Sequence, residues 1–237
     1  MQITHGMILA AGLGARMRPL TLATPKPMIE LAGTPLLGWH MQAMRGYGVS
    51  KLVVNTHYLA EQIQEYVEAM PQVTALYEAE LLETGGGIRH ALPQLGEAPF
   101  VVANSDALCI DPQAQLVTRM ADAMHKEVDA VLTLVPREHA RGYDGAGDFT
   151  LNDGELARRG EAPHAPYVFT GLQLLHPRAF VHAPEGAFSM NVIYNRLLAE
   201  GRITAVVHDG DWLHIGDPDG LAQAEAYLVD HREVMLA

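Results

Sequence analysis

Cysteine is nearly absent from this chain of 237 residues, in which Cys109 is the only one. A disulfide within the chain is therefore excluded, as expected for a protein of a reducing compartment. No Gly-Lys pair occurs, so there is no P-loop for binding a nucleotide. The 12 histidines are scattered, and none has the His-Glu-x-x-His or Cys/His spacing of a zinc site.

Positive charge is also scarce, because 16 Lys and Arg face 28 Asp and Glu and leave a formal net charge of −12. Such a balance argues against nucleic acid, or an anionic membrane surface, as the main partner. The first apolar run breaks at Gly12, too soon for a signal peptide or a membrane span. We therefore expect a cytoplasmic protein without a membrane partner.

Strand and helix patterns alternate through the first half of the chain. Buried strands are predicted at 7–10, 51–55, 73–77, 100–103 and 129–135, and helices at 35–41, 59–70 and 88–92. This alternation predicts an α/β fold, a Rossmann-like doubly wound sheet that is mostly parallel and carries helices on both faces.

The pattern changes after residue 135. A polar segment at 136–166 contains the turn-forming sequence Asn152-Asp153-Gly154, which predicts a hairpin. Strands at 167–175, 203–208 and 212–215 follow, and then a helix at 221–230. We expect residues 1–237 to form a single domain whose second half is a small α+β lid.

The loop after the first strand is the most informative feature of the chain. Gly12 and Gly14 allow a tight turn whose N–H groups can approach a phosphate closely. Arg16 and Lys26 add positive charge beside it. The loop therefore predicts a polyphosphate site, although a lone pair of glycines could also serve a strand-to-loop turn.

The spacing of this loop narrows the class of protein. A dinucleotide-binding fingerprint would require glycine where Met17 stands, which argues against a dinucleotide-dependent oxidoreductase. What remains is G-x-G-x-R-x-x-P-L-T followed by P-K-P. This pattern resembles the sugar-1-phosphate nucleotidyltransferases, which join an NTP to a sugar phosphate and release pyrophosphate. The resemblance covers nearly the whole chain and is strongest in its first half.

Three polar or glycine-rich segments follow predicted strands at the edge where ligands of open α/β sheets bind: 12–16, 85–87 and Asp106. Asp106 offers the oxygen ligand that Mg²⁺ prefers, together with substrate phosphates. An aspartate that only caps the next turn is the alternative.

The resemblance implies a role for each matching residue. Arg16, Lys26 and Asp106 would be catalytic, with Asp106 holding Mg²⁺. Residues about 1–135 would bind the nucleotide and about 136–237 the sugar. The segment 83–87 is expected to be a glycine-rich bend against the base. The nucleotide-binding residues would be Leu9, Ala10, Ala11, Gly12, Gly14, Glu83, Gly85 and Gly86, and the sugar-binding residues Asp148 and Gly171.

A late segment departs from the family pattern. Residues 212–217 resemble W-x-D-x-G-T, whose aspartate is the second metal ligand, but His214 replaces that aspartate and Asp217 replaces the threonine. Imidazole is a poor ligand for Mg²⁺. His214 and Asp217 therefore both stay candidates for the second metal ligand.

Within the family, the short chain, the absence of an E-K-P motif and the G-D-F segment at 147–149 resemble the N-acetylmuramate-1-phosphate uridylyltransferases of cell-wall recycling. Mannose-1-phosphate guanylyltransferases and glucose-1-phosphate thymidylyltransferases are close alternatives. The altered late segment would also suit a regulator that binds a nucleotide sugar without catalysis.

Overall fold

A computed structural model of the chain describes residues 1–152 and 154–231. The strands are β1 (His5–Leu9), β2 (Glu30–Leu31), β3 (Thr34–Pro35), β4 (Lys51–Thr56), β5 (Val73–Tyr77), β6 (Phe100–Asn104), β7 (Ala107–Cys109), β8 (Ala130–Pro136), β9 (Ala140–Arg141), β10 (Phe149–Asn152), β11 (Glu155–Arg158), β12 (Tyr167–Leu175), β13 (Ile203–Val207) and β14 (Trp212–His214). The α-helices are α1 (Leu36–Gly46), α2 (Ala60–Val67), α3 (Glu83–Leu95), α4 (Leu116–Ala123), α5 (Asn191–Ala199) and α6 (Pro218–Asp230). Short 3-10 turns cover Ala15–Met17, Leu20–Leu22, Lys26–Met28, Arg137–His139 and Pro177–Phe180.

One mixed sheet of nine strands forms the centre of the molecule. Its main path runs β11-β10-β12-β6-β1-β4-β5, while β8 pairs with both β12 and β13. The pairs β6–β1, β1–β4, β4–β5 and β8–β13 are parallel, whereas β12 is antiparallel to β6 and β8. The predicted α/β class with a mostly parallel sheet is confirmed.

The parallel strands β1, β4 and β6 are buried on both faces, which explains their nearly continuous apolar sequences. Met7, Val53 and Val102 pack in the core cluster that includes residues of α3 and α5. Their chain neighbours Ile8 and Val54 point the other way, into the cluster that includes residues of α1, α2 and α4. The helices therefore cover both faces of the sheet, as predicted.

A glycine lets the longest strand cross the end of β6. Gly171 has a φ of +86°, and a Cβ on it would lie only 2.9 Å from Asn104 Cβ. The register of β12 against β8 shifts in this region, between Phe169 and Gln173. The backbone of β12 can therefore approach the carboxyl end of β6 closely because position 171 has no side chain.

The second half of the chain is continuous with the first. Strands β10 to β13 are part of the central sheet. A three-stranded sheet, β7-β14-β9, lies beside it. Strand β7 follows immediately after Asp106, and β14 pairs with it, with His214 opposite Ala107. This pairing brings the late segment at 212–217 beside Asp106.

Two local predictions need comment. The expected glycine-rich bend at 83–87 is wrong, because these residues form the first turn of α3. The hairpin is confirmed by antiparallel pairing of β10 and β11, with Asn152 opposite Glu155, although Asp153 lies outside the described residues. In the described part of the chain, no helix combines the length and the apolar character needed to cross a membrane.

Candidate active site

A cleft of about 540 Å³ opens at the carboxyl ends of β1 and β6. Strand ends of this kind are where ligands of open α/β sheets bind. Most of the predicted site residues line it: Leu9, Ala10, Ala11, Gly12, Gly14, Arg16, Lys26, Glu83 and Asp106. Residues that were not predicted also contribute, among them Asn55, Thr84, Asn104, Ser189 and Gly216.

Residues of the sequence motif after β1 contact one another and fix the shape of the glycine-rich loop. Gly14 has a φ of +61°, and its carbonyl oxygen accepts a hydrogen bond of 2.7 Å from the buried Thr21 hydroxyl. A Cβ at Gly14 would lie 2.9 Å from Thr21 Cγ2 and 3.2 Å from Lys26 Cβ. The spacing of Gly14, Thr21 and Lys26 in the sequence thus reflects contacts among them.

Gly12 differs from Gly14, because nothing within 4 Å would obstruct a Cβ there. Gly12 is exposed and lines the cleft. No contact in the described structure therefore requires glycine at position 12. A ligand whose phosphates approach the backbone would supply that requirement.

A buried pair of polar residues supports the start of the loop. Asn55, at the end of β4, accepts a hydrogen bond of 2.8 Å from the Ala10 N–H and donates one of 2.7 Å to Glu78 Oε1. Glu78 Oε2 accepts from the Leu82 N–H at 3.1 Å, just before α3. This network joins the loop after β1 to the beginning of α3, and hence two walls of the cleft.

Three charged side chains meet at the mouth of the cleft. Lys26 Nζ lies 3.4 Å and Arg16 Nη2 lies 3.7 Å from the same oxygen, Oδ2, of Asp106. The side chain of Lys26 is 10% exposed and that of Arg16 is 64% exposed. Lys26 is therefore held in the wall, while Arg16 is free to move toward a ligand.

The electrostatics of this trio keep Asp106 ionised. Burial opposes the charge, but Lys26 first, and then His214 and Arg16, outweigh it and hold the pKa of the Asp106 carboxyl below its ordinary value. Burial lowers the pKa of the Lys26 ammonium, an effect that Asp106 partly offsets. The cleft thus presents a charged carboxylate to any cation bound there.

Asp106 fits a magnesium ion that is held mainly by substrate. The contact of each ion pair ends on Oδ2 of this carboxylate, at 3.7 Å from Arg16 and 3.4 Å from Lys26. Among residues 1–152 and 154–231, no cluster of three or more His, Cys, Asp or Glu could hold a metal alone. One carboxylate with substrate phosphates is a common arrangement for Mg²⁺.

Neither candidate for a second metal ligand offers a free carboxylate. His214 is stacked on Trp212 at 5.4 Å between ring centroids, and burial lowers the pKa of its imidazole, which favours the neutral ring. Asp217 is the N-cap of α6 and accepts a hydrogen bond of 2.9 Å from the Gly220 N–H. The helix therefore already engages the Asp217 side chain.

Gly216 explains how His214 fits beside the charged trio. A Cβ at Gly216 would lie 2.4 Å from His214 Nε2 and 3.0 Å from Arg16 Nη1. The glycine leaves room for the imidazole and the guanidinium on either side of it. His214 Nδ1 is buried and has no hydrogen-bond partner in the described part of the chain.

The first turn of α3 divides into residues that face the cleft and residues that do not. Glu83 and Thr84 line the cleft, whereas Gly85 and Gly86 are buried behind it. A Cβ on Gly85 would lie 2.3 Å from the Phe188 ring, and one on Gly86 would lie 2.4 Å from the Gly186 oxygen. These two glycines are therefore explained by close packing inside the protein.

Asp148 and Gly171 lie beyond the residues that line the cleft. Asp148 Oδ2 accepts a hydrogen bond of 2.9 Å from the Phe169 N–H on β12. Gly171 packs on Asn104, which does line the cleft. Gly171 on β12 thus contacts the carboxyl end of β6, whereas Asp148, just before β10, is hydrogen-bonded to β12.

Comparison with known proteins identifies the family. The model of the nucleotidyl transferase family matches residues 5–231, and the chain belongs to that family. It is 37% identical to the N-acetylmuramate alpha-1-phosphate uridylyltransferase of Caulobacter vibrioides, with 94% of this chain and 96% of that protein covered. Identity to the protein of the same name from Neisseria meningitidis is 34%, covering 93% and 96%.

The fold agrees with this assignment. A candidate glucose-1-phosphate thymidylyltransferase from Bacillus anthracis superposes with a TM-score of 0.82 at 18% identity, covering 96% of each chain. The family predicted from the glycine-rich loop is confirmed, and the protein is an enzyme of the nucleotidyltransferase class.

Proposed function

We propose that this enzyme transfers the uridylyl group of UTP to N-acetylmuramate-1-phosphate and produces UDP-N-acetylmuramate and pyrophosphate with the help of Mg²⁺. The observation that carries the reaction is the trio of Lys26, Arg16 and Asp106 at the mouth of a cleft bordered by the glycine-rich loop. The choice of UTP and of N-acetylmuramate rests on the two uridylyltransferase relatives.

The chemistry is an in-line displacement at the α-phosphorus of UTP. A phosphate oxygen of the sugar phosphate forms a bond to this phosphorus, and the bond to the bridging oxygen breaks, so that pyrophosphate leaves with the electron pair. The attacking oxygen is already anionic, and no general base is needed. Catalysis then consists of positioning two polyanions and offsetting their repulsion.

Each member of the trio has a distinct part in this step. Lys26, held in the wall, offsets charge on the α-phosphate or the sugar phosphate, and the exposed Arg16 turns toward the departing pyrophosphate. Asp106 would hold the magnesium ion, which would supply positive charge to offset that of the phosphates. In the free enzyme, the Asp106 carboxylate forms an ion pair with each of the two cations.

The two halves of the chain divide the substrates between them. Residues about 1–135 bind UTP, with 9–14 around the triphosphate and Glu83 toward the base, in front of the buried Gly85 and Gly86. Residues about 136–237 bind the sugar, near Asp148 and Gly171. The lone Cys109 supports a cytoplasmic enzyme, and a sugar of this kind suggests a part in the recycling of cell-wall material.

A panel of pyrophosphate-release assays tests the proposal. The four common NTPs and dTTP would each be paired with N-acetylmuramate-1-phosphate, mannose-1-phosphate and glucose-1-phosphate, with and without Mg²⁺. We expect UTP with N-acetylmuramate-1-phosphate to be the preferred pair. Preference for GTP with mannose-1-phosphate would refute the proposed substrates and identify a guanylyltransferase. Preference for dTTP with glucose-1-phosphate would likewise identify a thymidylyltransferase. Binding of a nucleotide sugar without any turnover would indicate a regulator.

A further inference from the structure

We propose that Arg158, together with Asn191 and Asn195, forms a subsite for a carboxylate carried by the sugar of the substrate. This inference rests on the proposed function. N-acetylmuramate is N-acetylglucosamine with a lactic acid joined by an ether at O3, so its carboxylate is what distinguishes the two sugars. Arg158 would then determine the choice between them.

The guanidinium of Arg158 is held in a fixed position by neutral groups. Its Nη2 donates to Asn191 Oδ1 at 2.7 Å and to Asn195 Oδ1 at 3.1 Å. Its central carbon lies over the ring of Phe149, 4.8 Å from the centroid, and 5.7 Å from that of Tyr194. An arginine restrained on two aromatic rings loses little further freedom when it binds a ligand.

Arg158 lacks the anion that a partly buried cation normally has. No Asp or Glu among the described residues forms an ion pair with it, whereas Arg178 and Arg202 share the carboxylate of Asp129. The carboxylate that favours its charge is that of Asp148, which accepts a hydrogen bond from the Phe169 N–H. Burial lowers the pKa of Arg158, as expected for a desolvated cation without a counter-charge. An incoming carboxylate would supply that charge.

The position of Arg158 is continuous with the wall of the cleft. Ser189 and Thr84 both line the cleft. Ser189 Oγ accepts from the Asn191 N–H at 3.2 Å, and Thr84 Oγ1 accepts from the Met190 N–H at 2.9 Å. Asn191 therefore lies at the rim, and its side chain contacts Arg158.

Arg158 belongs to the half of the chain that is proposed to bind the sugar. Arg158 stands opposite Phe149 on the neighbouring strand, and Phe149 directly follows Asp148 in the sequence. Lys26, which would face a phosphate, and Asp106, which would hold the magnesium ion, lie on separate elements after β1 and β6. The arrangement suits a substrate whose acid group is several bonds away from its phosphate.

The ligand chemistry follows from the groups present. A guanidinium can donate two parallel hydrogen bonds to a carboxylate, a geometry that favours this anion over a hydroxyl. Asn191 and Asn195 can each accept from the guanidinium while their amide N–H groups remain donors for the ligand. N-acetylglucosamine-1-phosphate offers a hydroxyl at the same position and would leave the cation unpaired.

The experiment compares kcat/KM for N-acetylmuramate-1-phosphate and N-acetylglucosamine-1-phosphate, with saturating UTP and Mg²⁺, in the full-length enzyme. Arg158→Gln should lower the ratio of the two values about 10- to 100-fold through the muramate substrate. The value for the glucosamine substrate should change less than about twofold. Arg45→Gln, which removes an exposed guanidinium from α1, is the matched control and should leave the ratio unchanged.

A second variant keeps the test independent of folding. Asn195→Asp places a carboxylate beside Arg158, so the cation gains a partner and the protein need not be destabilised. The ratio should again fall, because the new carboxylate competes with that of the substrate.

The outcomes separate this inference from the proposed function. If the wild type prefers N-acetylmuramate-1-phosphate and both variants retain that preference, the subsite is refuted and the proposed function stands. A wild type that uses the two sugars equally well refutes the subsite alone. If no pair of NTP and sugar phosphate yields pyrophosphate, the proposed function fails, and the subsite fails with it.

Discussion

The two glycines in the loop after β1 predict opposite changes in stability when each is replaced by alanine. At Gly12 a Cβ has no neighbour within 4 Å and the backbone is not in the left-handed region. Gly12→Ala should therefore raise the free energy of unfolding by about 0.4–1 kcal/mol, since alanine restricts the unfolded chain. Gly14→Ala should lower it by about 2 kcal/mol or more, because it adds a left-handed alanine and a contact of 2.9 Å with Thr21.

Nucleotide binding distinguishes the function of Gly12 from its effect on stability. The open space beside Gly12 is the cleft, so an added methyl group would occupy the position expected for the phosphates. We expect Gly12→Ala to weaken UTP binding in the presence of Mg²⁺ at least about tenfold, equivalent to about 1.4 kcal/mol. Urea unfolding and isothermal titration calorimetry measure the two quantities in the same preparation.

Gly46→Ala on α1 is the matched control for this experiment. Its Cβ would make an ordinary contact of 3.6 Å with Ala114 Cβ, and Gly46 is not among the residues that line the cleft. It should stabilise the protein without a change in UTP affinity. A Gly12→Ala enzyme that binds UTP as tightly as the wild type would refute the interpretation of the loop.

Three further predictions concern charge and buried polar groups. Arg16→Ala should lower kcat about 10²- to 10³-fold. The same substitution should change the free energy of unfolding by less than about 1 kcal/mol, because the Arg16 side chain that pairs with Asp106 is mostly exposed. Arg45→Ala is the control for both the kcat and the unfolding measurements. Asn55→Leu leaves the Ala10 N–H and a Glu78 oxygen unpaired, so chemical denaturation should show a loss of about 2–3 kcal/mol, and KM for UTP should rise. Asp129→Asn should cost about 3 kcal/mol at pH 7. Burial opposes ionisation of Asp129, but hydrogen bonds from Arg202 and Arg178 outweigh burial and hold its pKa below the ordinary value. Its contribution is therefore present above the unfolded pKa of about 3.9 and is lost as the pH falls through the folded value, so the difference between wild type and variant should narrow below about pH 4. A difference that stays constant down to pH 3 would refute this assignment.

The sheet and the glycine-rich loop could be predicted because their signals are local. The strands are short apolar runs ended by turn residues, and the polar residues that follow them mark one edge of the sheet. Met17 is buried in a core cluster that also contains Ala224 and Leu228 of α6. A glycine at position 17, as the dinucleotide fingerprint requires, could not fill this space. The same rule about strand ends applies to Asn55, which terminates a predicted strand and was not recognised.

The first turn of α3 could not be predicted because its cause lies far away in the sequence. Three consecutive glycines disfavour a helix by about 1 kcal/mol each. The N–H groups of Gly85 and Gly86 both donate to the Phe188 oxygen, at 2.8 and 3.1 Å, and a side chain at either position would collide with the segment 186–188. Tertiary packing therefore overrides the local preference.

The late segment shows a similar dependence on distant residues. The family pattern located it, but the pairing of β14 with β7 determines that His214 stands opposite Ala107, next to Asp106. The Asp217 carboxylate caps α6, a role that Pro218 after it could have indicated, since proline is favoured in the first helical turn. The grouping of Arg158 with Asn191 and Asn195 joins a strand and a helix more than 30 residues apart and has no sequence signal.

The central claim is that the loop at 10–16 binds the triphosphate while Asp106 holds the divalent ion. A crystal structure of the enzyme with a non-hydrolysable UTP analogue and Mn²⁺, with the manganese located by anomalous scattering, tests it most directly. We predict the phosphates on the N–H groups of this loop and the manganese bound to an Asp106 oxygen at about 2.2 Å, in place of Mg²⁺. Phosphates outside the loop, or manganese bound away from Asp106, would contradict the claim.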